Sequence, residues 1–110
     1  MTVSDILSSL GAEALTLPDP ALEVDGCYCG DLLSWVMGRA QENQIWITIM
    51  TNINVVAVAS LSGVSAVLIS ENAEIDGETV KKAEEQGINI LRTELSTYEA
   101  AVAIGKLLNN

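Results

Sequence analysis

From residue 45 onward the chain repeats one unit three times: a short apolar run, a polar turn, then a segment with helical spacing. The apolar runs cover residues 45–50, 65–69 and 88–91, and the helical segments 54–61, 78–86 and 97–108. Strand followed by helix, in series, confines the fold to βαβ units with right-handed crossovers. The runs do not alternate apolar with polar, as expected of a parallel sheet whose two faces are both covered by helices. Ahead of the series, the spacing of Ile6, Leu7 and Leu10 predicts a helix that Ser4 caps and Gly11 ends. Residues 14–17 read as a short strand stopped by Pro18-Asp19-Pro20, residues 22–29 as a second strand, and residues 32–41 as a helix opened by Gly30-Asp31. The first two strands can pair as an antiparallel edge or lie apart. The expected fold is a single three-layer α/β domain, with a mostly parallel sheet of about four to five strands and helices on both faces. An N-terminal helix and short strand fill residues 1–20 and the βα core fills 22–110.

Local chemistry supports the boundaries. Asn52 or Asn54 can cap the middle helix and Asp76 the next, where Glu78–Lys82 and Lys81–Glu85 are spaced as i,i+4 pairs; Gly87 ends it. Ser96-Thr97-Tyr98-Glu99 matches a capping box. No charge occurs between Glu42 and Glu71, a gap of 28 residues, but amides and hydroxyls interrupt it throughout and no membrane-spanning run results. The start of the chain lacks the basic region of a secretory signal, so a cytoplasmic location is expected. The gap instead holds strands and a helix, and its apolar excess points to a homodimer that covers part of it.

Fifteen acidic residues face five basic ones, a net charge of −10 that disfavours nucleic acid and anionic membrane. The absence of histidine removes Ser-His and Cys-His nucleophile pairs and the commonest zinc ligand. Neither a phosphate loop nor a dinucleotide fingerprint occurs, so no enzyme activity and no cofactor are expected. Cys27 and Cys29 point to one face of a strand; they are half of a metal site at best, unless two chains pool four thiolates. Trp35, Met37, Trp46 and Met50 read as core or subunit contact.

Ligands of parallel sheets bind beyond the carboxyl ends of the strands. The turns expected there are polar for so apolar a chain: Gly30 and Asp31; Thr51, Asn52 and Asn54; Ser70, Glu71 and Asn72; Thr93 and Glu94. These ten residues form the candidate ligand site. They suit a neutral or cationic small molecule, or one whose phosphates rest on helix N-terminal amides. Arg92 is the one basic residue near a strand end, and Glu71 with Glu94 is the candidate carboxylate pair.

Residues 27–108 carry a family resemblance. Gly30-Asp31-Leu32, Trp46-Ile47-Thr48 through Asn52-Ile53-Asn54, the helix Val55-Val56-Ala57-Val58-Ala59, Ala66-Val67-Leu68-Ile69 through Asn72, and Gly87-Ile88-Asn89-Ile90-Leu91 resemble the DRTGG domain family. The family's Asp-Arg falls on Thr51-Asn52 and its Thr-Gly-Gly on Ser70-Glu71-Asn72, so the signature itself is altered. The resemblance implies a fold like that of the N-terminal, non-kinase domain of HPr kinase/phosphorylase. It also implies a regulatory or ligand-sensing role, for which the polar turns at the strand ends suit a small molecule, a nucleotide among the options. As an alternative it implies an interaction or scaffold module beside iron-hydrogenase or other anaerobic redox enzymes, with an enzyme or signalling protein as partner.

Overall fold

The computed structural model describes residues 1–109. Ten elements follow in order: α1 (Val3–Leu10), β1 (Glu13–Thr16), β2 (Gly26–Cys29), α2 (Leu33–Arg39), β3 (Gln44–Thr48), α3 (Asn54–Ser62), β4 (Ala66–Ile69), α4 (Gly77–Gln86), β5 (Ile90–Arg92) and α5 (Thr97–Leu108). The sheet has the order β1-β5-β4-β3-β2. β2 to β5 are parallel, each beside its neighbour in sequence, and β1 joins β5 antiparallel, so the open question about the first strands resolves to opposite edges of one sheet.

Because the parallel series runs in one direction, right-handed crossovers place α2, α3 and α4 on the same face. There Val36, Val55, Val56, Ala59 and Ala83 pack on Trp46, Val67, Ile69 and Ile90. α1 and α5 cover the other face, where Val3, Ile6, Ala100 and Ile104 pack on Ile45, Ile47, Ala66, Leu68 and Leu91. Alternate strand residues serve alternate layers, and every residue of β4 is buried. This is why the apolar runs are unbroken.

β2 is shorter than the expected 22–29 strand. Residues before it leave the sheet because Val3 N–H donates to Leu22 O (3.0 Å) and Val24 N–H to Met1 O (2.7 Å), tying this stretch to the chain start. β1 contains a bulge between Ala14 and Thr16, where the Thr16 hydroxyl donates to Ile88 O (2.6 Å) and accepts from Ile90 N–H (2.8 Å) in place of ladder bonds. Gly11, Gly63 and Gly87 end their helices in the left-handed region.

Three expectations about the helices are corrected. Thr2, not Ser4, caps α1, forming a reciprocal box with Asp5 because the helix begins at Val3. Ile53 stands at the cap of α3, while Asn52 Oδ1 accepts from Asn54 N–H (2.9 Å) one position earlier. The i,i+4 pairs of α4 do not close: the ion pairs among the described residues are Met1–Glu23 and Arg92–Glu13. Asp76 and the Ser96–Glu99 box cap α4 and α5 as expected.

Amides at these helix starts hold the carboxyls of Asp5, Asp76 and Glu99 below their ordinary values, chiefly through the backbone N–H of Thr2, Thr79 and Ser96. A carboxyl with a depressed folded pKa stabilises above its unfolded pKa and loses that contribution as pH falls through the folded one. The domain therefore keeps a constant stability from these caps at neutral pH and loses it below the ordinary carboxylate range. Urea titrations at stepped pH check this: the acid-side loss shrinks in an Asp5→Asn, Asp76→Asn, Glu99→Gln variant.

Candidate functional site

The carboxyl ends of four parallel strands lie along one edge, and antiparallel β1 starts there too. The loops after β2, β3 and β4 turn toward the α2–α4 face, whereas the loop after β5 turns to the α5 face. The divergence between the β4 and β5 loops is the topological switch point of this sheet.

The two loops are stitched together where they part. Glu71 N–H donates to Leu95 O and Asn72 N–H to Thr93 O, both at 2.8 Å, and the Ser70 and Thr97 hydroxyls share a bond of 2.7 Å. Glu71 and Asn72 both take positive φ, 61° and 51°. These are the positions at which the family resemblance places two glycines, residues that adopt this conformation at no steric cost. Glu71→Gly is therefore expected to stabilise the domain by roughly 0.5–1 kcal/mol, with Asn72→Gly nearer neutral since asparagine tolerates the left-handed region. Urea denaturation midpoints of the two variants check this.

Beside the stitch opens a cleft of about 390 Å³, lined by Leu10, Gly11, Glu13, Asn72, Arg92, Thr93, Glu94 and Leu95. Glu13 and Arg92 face each other in register across β1 and β5, and Glu13 Oε1 accepts from Arg92 Nε (3.1 Å) and Nη2 (2.7 Å). The pair is partly exposed and contributes little to stability. Its effect is to fix the guanidinium on one wall. With Glu94 also in the lining, the cleft holds two carboxylates and one cation, so it favours neutral or cationic groups over polyphosphate.

Three of the ten expected residues line this cleft: Asn72, Thr93 and Glu94. The other seven serve elsewhere. Asp31 Oδ1 accepts from the Thr48 hydroxyl (2.8 Å) and Ile49 N–H (2.9 Å), clamping the β2 loop to the β3 loop. Gly30 lies against Tyr28, whose ring a Cβ would meet at 2.9 Å, and its carbonyl accepts from Trp46 Nε1 (2.9 Å). Ser70 is buried with Thr97, Thr51 is half-buried, and Asn52 closes its own turn onto Asn54. Asn54 borders a second cavity, also about 390 Å³, between α3 and α4 with Ile53, Val56, Ala57, Ser60, Leu61, Lys82 and Gln86. That groove is built from two helix flanks, whereas the cleft draws polar groups from β1, β5 and two loops. Glu71 does not line the cleft with Glu94, so the candidate carboxylate pair is not assembled there. The amides that could cradle phosphate at the starts of α1, α4 and α5 already serve Thr2, Asp76 and Ser96 and their partners.

Sequence reading missed Leu10, Gly11 and Glu13. Glu13 comes to the cleft only through the antiparallel pairing of β1 with β5, which sets it opposite Arg92 and which the sequence left open. Among the described residues no group of three or more metal-ligating side chains occurs; Cys27 and Cys29 supply two free thiols. Trp46 is fully buried, but Trp35 and Met37 are exposed and Arg39 stacks over the Trp35 ring at 4.0 Å. No helix is long and apolar enough to cross a membrane among the described residues.

No curated protein matches this chain. Among solved structures, the CBS and DRTGG domains of the regulatory region of a Clostridium perfringens pyrophosphatase, complexed with the activator diadenosine tetraphosphate, share the fold with a TM-score of 0.73 at 17% identity. The alignment covers 94% of this chain and 45% of that one, so the present chain spans less than half of its neighbour. The DRTGG domain model matches residues 5–107, and the chain belongs to the DRTGG domain family.

Proposed function

We propose that this chain is a non-catalytic regulatory domain that senses a small polar molecule in the cleft at the carboxyl edge of its sheet. The observation that carries this reading is the convergence of Asn72, Arg92, Thr93, Glu94 and Glu13 at the switch point, where side chains from distant parts of the chain meet in one opening. The nucleotide-activated regulatory region of the Clostridium perfringens pyrophosphatase supports the regulatory class. The charge balance of the cleft favours the hydrogen-bonding edges of a nucleobase or nucleoside, or a cationic amine, over a bare polyphosphate tail. The Asn72 amide and Thr93 hydroxyl donate and accept, and the carboxylates of Glu13 and Glu94 accept.

A thermal-shift panel of nucleosides, mono- to polyphosphorylated nucleotides and polyamines tests this. A ligand at a hundred times its Kd adds about 2.7 kcal/mol, a rise in Tm on the order of 10 °C for a domain of this size. The shift should vanish in Asn72→Ala and persist in Ser60→Ala, which lies in the α3–α4 groove. A panel without any shift, or a shift lost in Ser60→Ala alone, overturns the assignment.

The domain acts as a homodimer in this reading. Trp35 and Leu61, on the neighbouring helices α2 and α3 of one face, are 55% and 73% exposed, which supports an apolar contact between copies. Light scattering that gives a monomer mass across a wide concentration range counts against it.

A further inference from the structure

β2 is an edge strand with one ladder partner, β3, and it carries both cysteines of the chain. Cys27 is half-buried against the α1–α5 layer, Cys29 is exposed at the end of the strand, and their sulfurs lie 4.0 Å apart on the same side. One thiol is thus sheltered, the other open to solvent, and each is within reach of the other. We propose that Cys27 and Cys29 form a reactive dithiol site, at which Cys29 exchanges with small-molecule disulfides and Cys27 resolves the adduct.

The Cys29 thiolate attacks one sulfur of a disulfide RSSR, forming a Cys29–SR bond and releasing RS⁻, which takes up a proton from solvent. Cys27 then gives its proton to solvent, and its sulfur attacks Cys29 Sγ, forming the Cys27–Cys29 bond and expelling the second RS⁻. Two thiols of the protein are oxidised and one RSSR is reduced to two RSH. The environment supports this division of labour. The hydrogen bond from the Cys27 thiol brings Cys29 down to about 7, against burial and the Asp31 carboxylate, which raise it; the same bond and burial push Cys27 up. β3 contributes no charge, and of the acidic and basic groups on α5, Glu99 is engaged with Ser96 N–H (3.0 Å) while Lys106 lies at the far end of the helix. A nucleophile whose pKa lies near ambient pH is the best placed for exchange.

The product is a reversible bond. Alternate Cα atoms of a strand are about 6.6 Å apart, near the upper end of the about 4.4–6.8 Å that a disulfide accepts. Closing the pair therefore puckers β2, which a strand with a free edge permits, and the strain keeps the bond easily reduced. The pucker falls directly before Gly30 and Asp31, whose bonds to Trp46, Thr48 and Ile49 hold the adjoining loops.

Oxidised glutathione is the probe, with the full chain at pH 7 and intact-mass readout. The wild type should lose two hydrogens and retain no glutathione. Cys27→Ser should retain one glutathione per chain, and Cys29→Ser should react at least about tenfold more slowly than wild type. In a separate iodoacetamide titration, the reactive midpoint of Cys29 should move up toward the ordinary thiol value in Cys27→Ala, which has no donor for the thiolate. The variants are read only after their circular dichroism melts match wild type, which a substitution at this open edge permits. Glutathione retained on Cys27, bridges between chains instead of within them, or equal rates in the two variants overturn the proposal.

Discussion

Trp46→Ala lowers the stability of the domain by about 3–5 kcal/mol, a large share of the roughly 5–15 kcal/mol available to a domain of this kind. The indole is fully buried at the centre of β3, against the α2–α4 layer, and its Nε1 donates to Gly30 O at 2.9 Å. Alanine opens a cavity between helices that cannot close on it, because the sheet fixes one wall. It also leaves a carbonyl of the β2 loop without its donor. Trp46→Phe separates the two effects: it retains most of the packing and should cost about 1–3 kcal/mol for the stranded carbonyl. Urea unfolding followed by circular dichroism checks both variants, and a loss under about 1 kcal/mol for Trp46→Ala would be incompatible with a core role.

Asn89→Ala is expected to cost about 2–4 kcal/mol, although asparagine is a polar residue in an apolar run. Its side chain is buried, with Nδ2 donating to Asp19 O (2.8 Å) and Ser65 O (2.9 Å) and Oδ1 accepting from Asp19 N–H (3.0 Å). One amide therefore pins the Pro18–Pro20 turn to the start of β4. Alanine strands the Ser65 carbonyl inside the protein and frees the turn. The second consequence is separable from the first: hydrogen exchange at Asp19 N–H should accelerate beyond the change in global stability. Asn89→Asp is expected to be at least as costly, since the second oxygen cannot donate to either carbonyl.

The contrast between Trp46 and Asn89 shows what could be read in the sequence. The βα series, the unbroken apolar strands and most helix ends were legible because each depends on residues close together in the chain. The helix stops at Gly11 and Gly87 and the Ser96–Glu99 box are decisions made within one turn. Asn89 looked like an ordinary interruption of a strand, because its three partners come from loops 24 and 70 residues away. The site divided in the same way. Asn72, Thr93 and Glu94 follow from the rule that loops gather at strand ends, whereas Glu13 enters through a pairing that no local pattern encodes. Asp31, Ser70 and Asn52 had the right chemistry for a ligand, but the backbone and neighbouring hydroxyls claimed it first.

The last strand pairing has a kinetic consequence. β2 to β5 can assemble stepwise, each strand docking on the one before it, with loop closures of modest length. β1 must return across a separation of 79 residues, from Glu13 to Arg92, before it finds its partner. Long-range closures of this kind are completed late and reopen early. The wall of the cleft formed by Glu13 is therefore the part of the molecule readiest to open, and a ligand bound there as proposed should show itself first as slowed opening of β1.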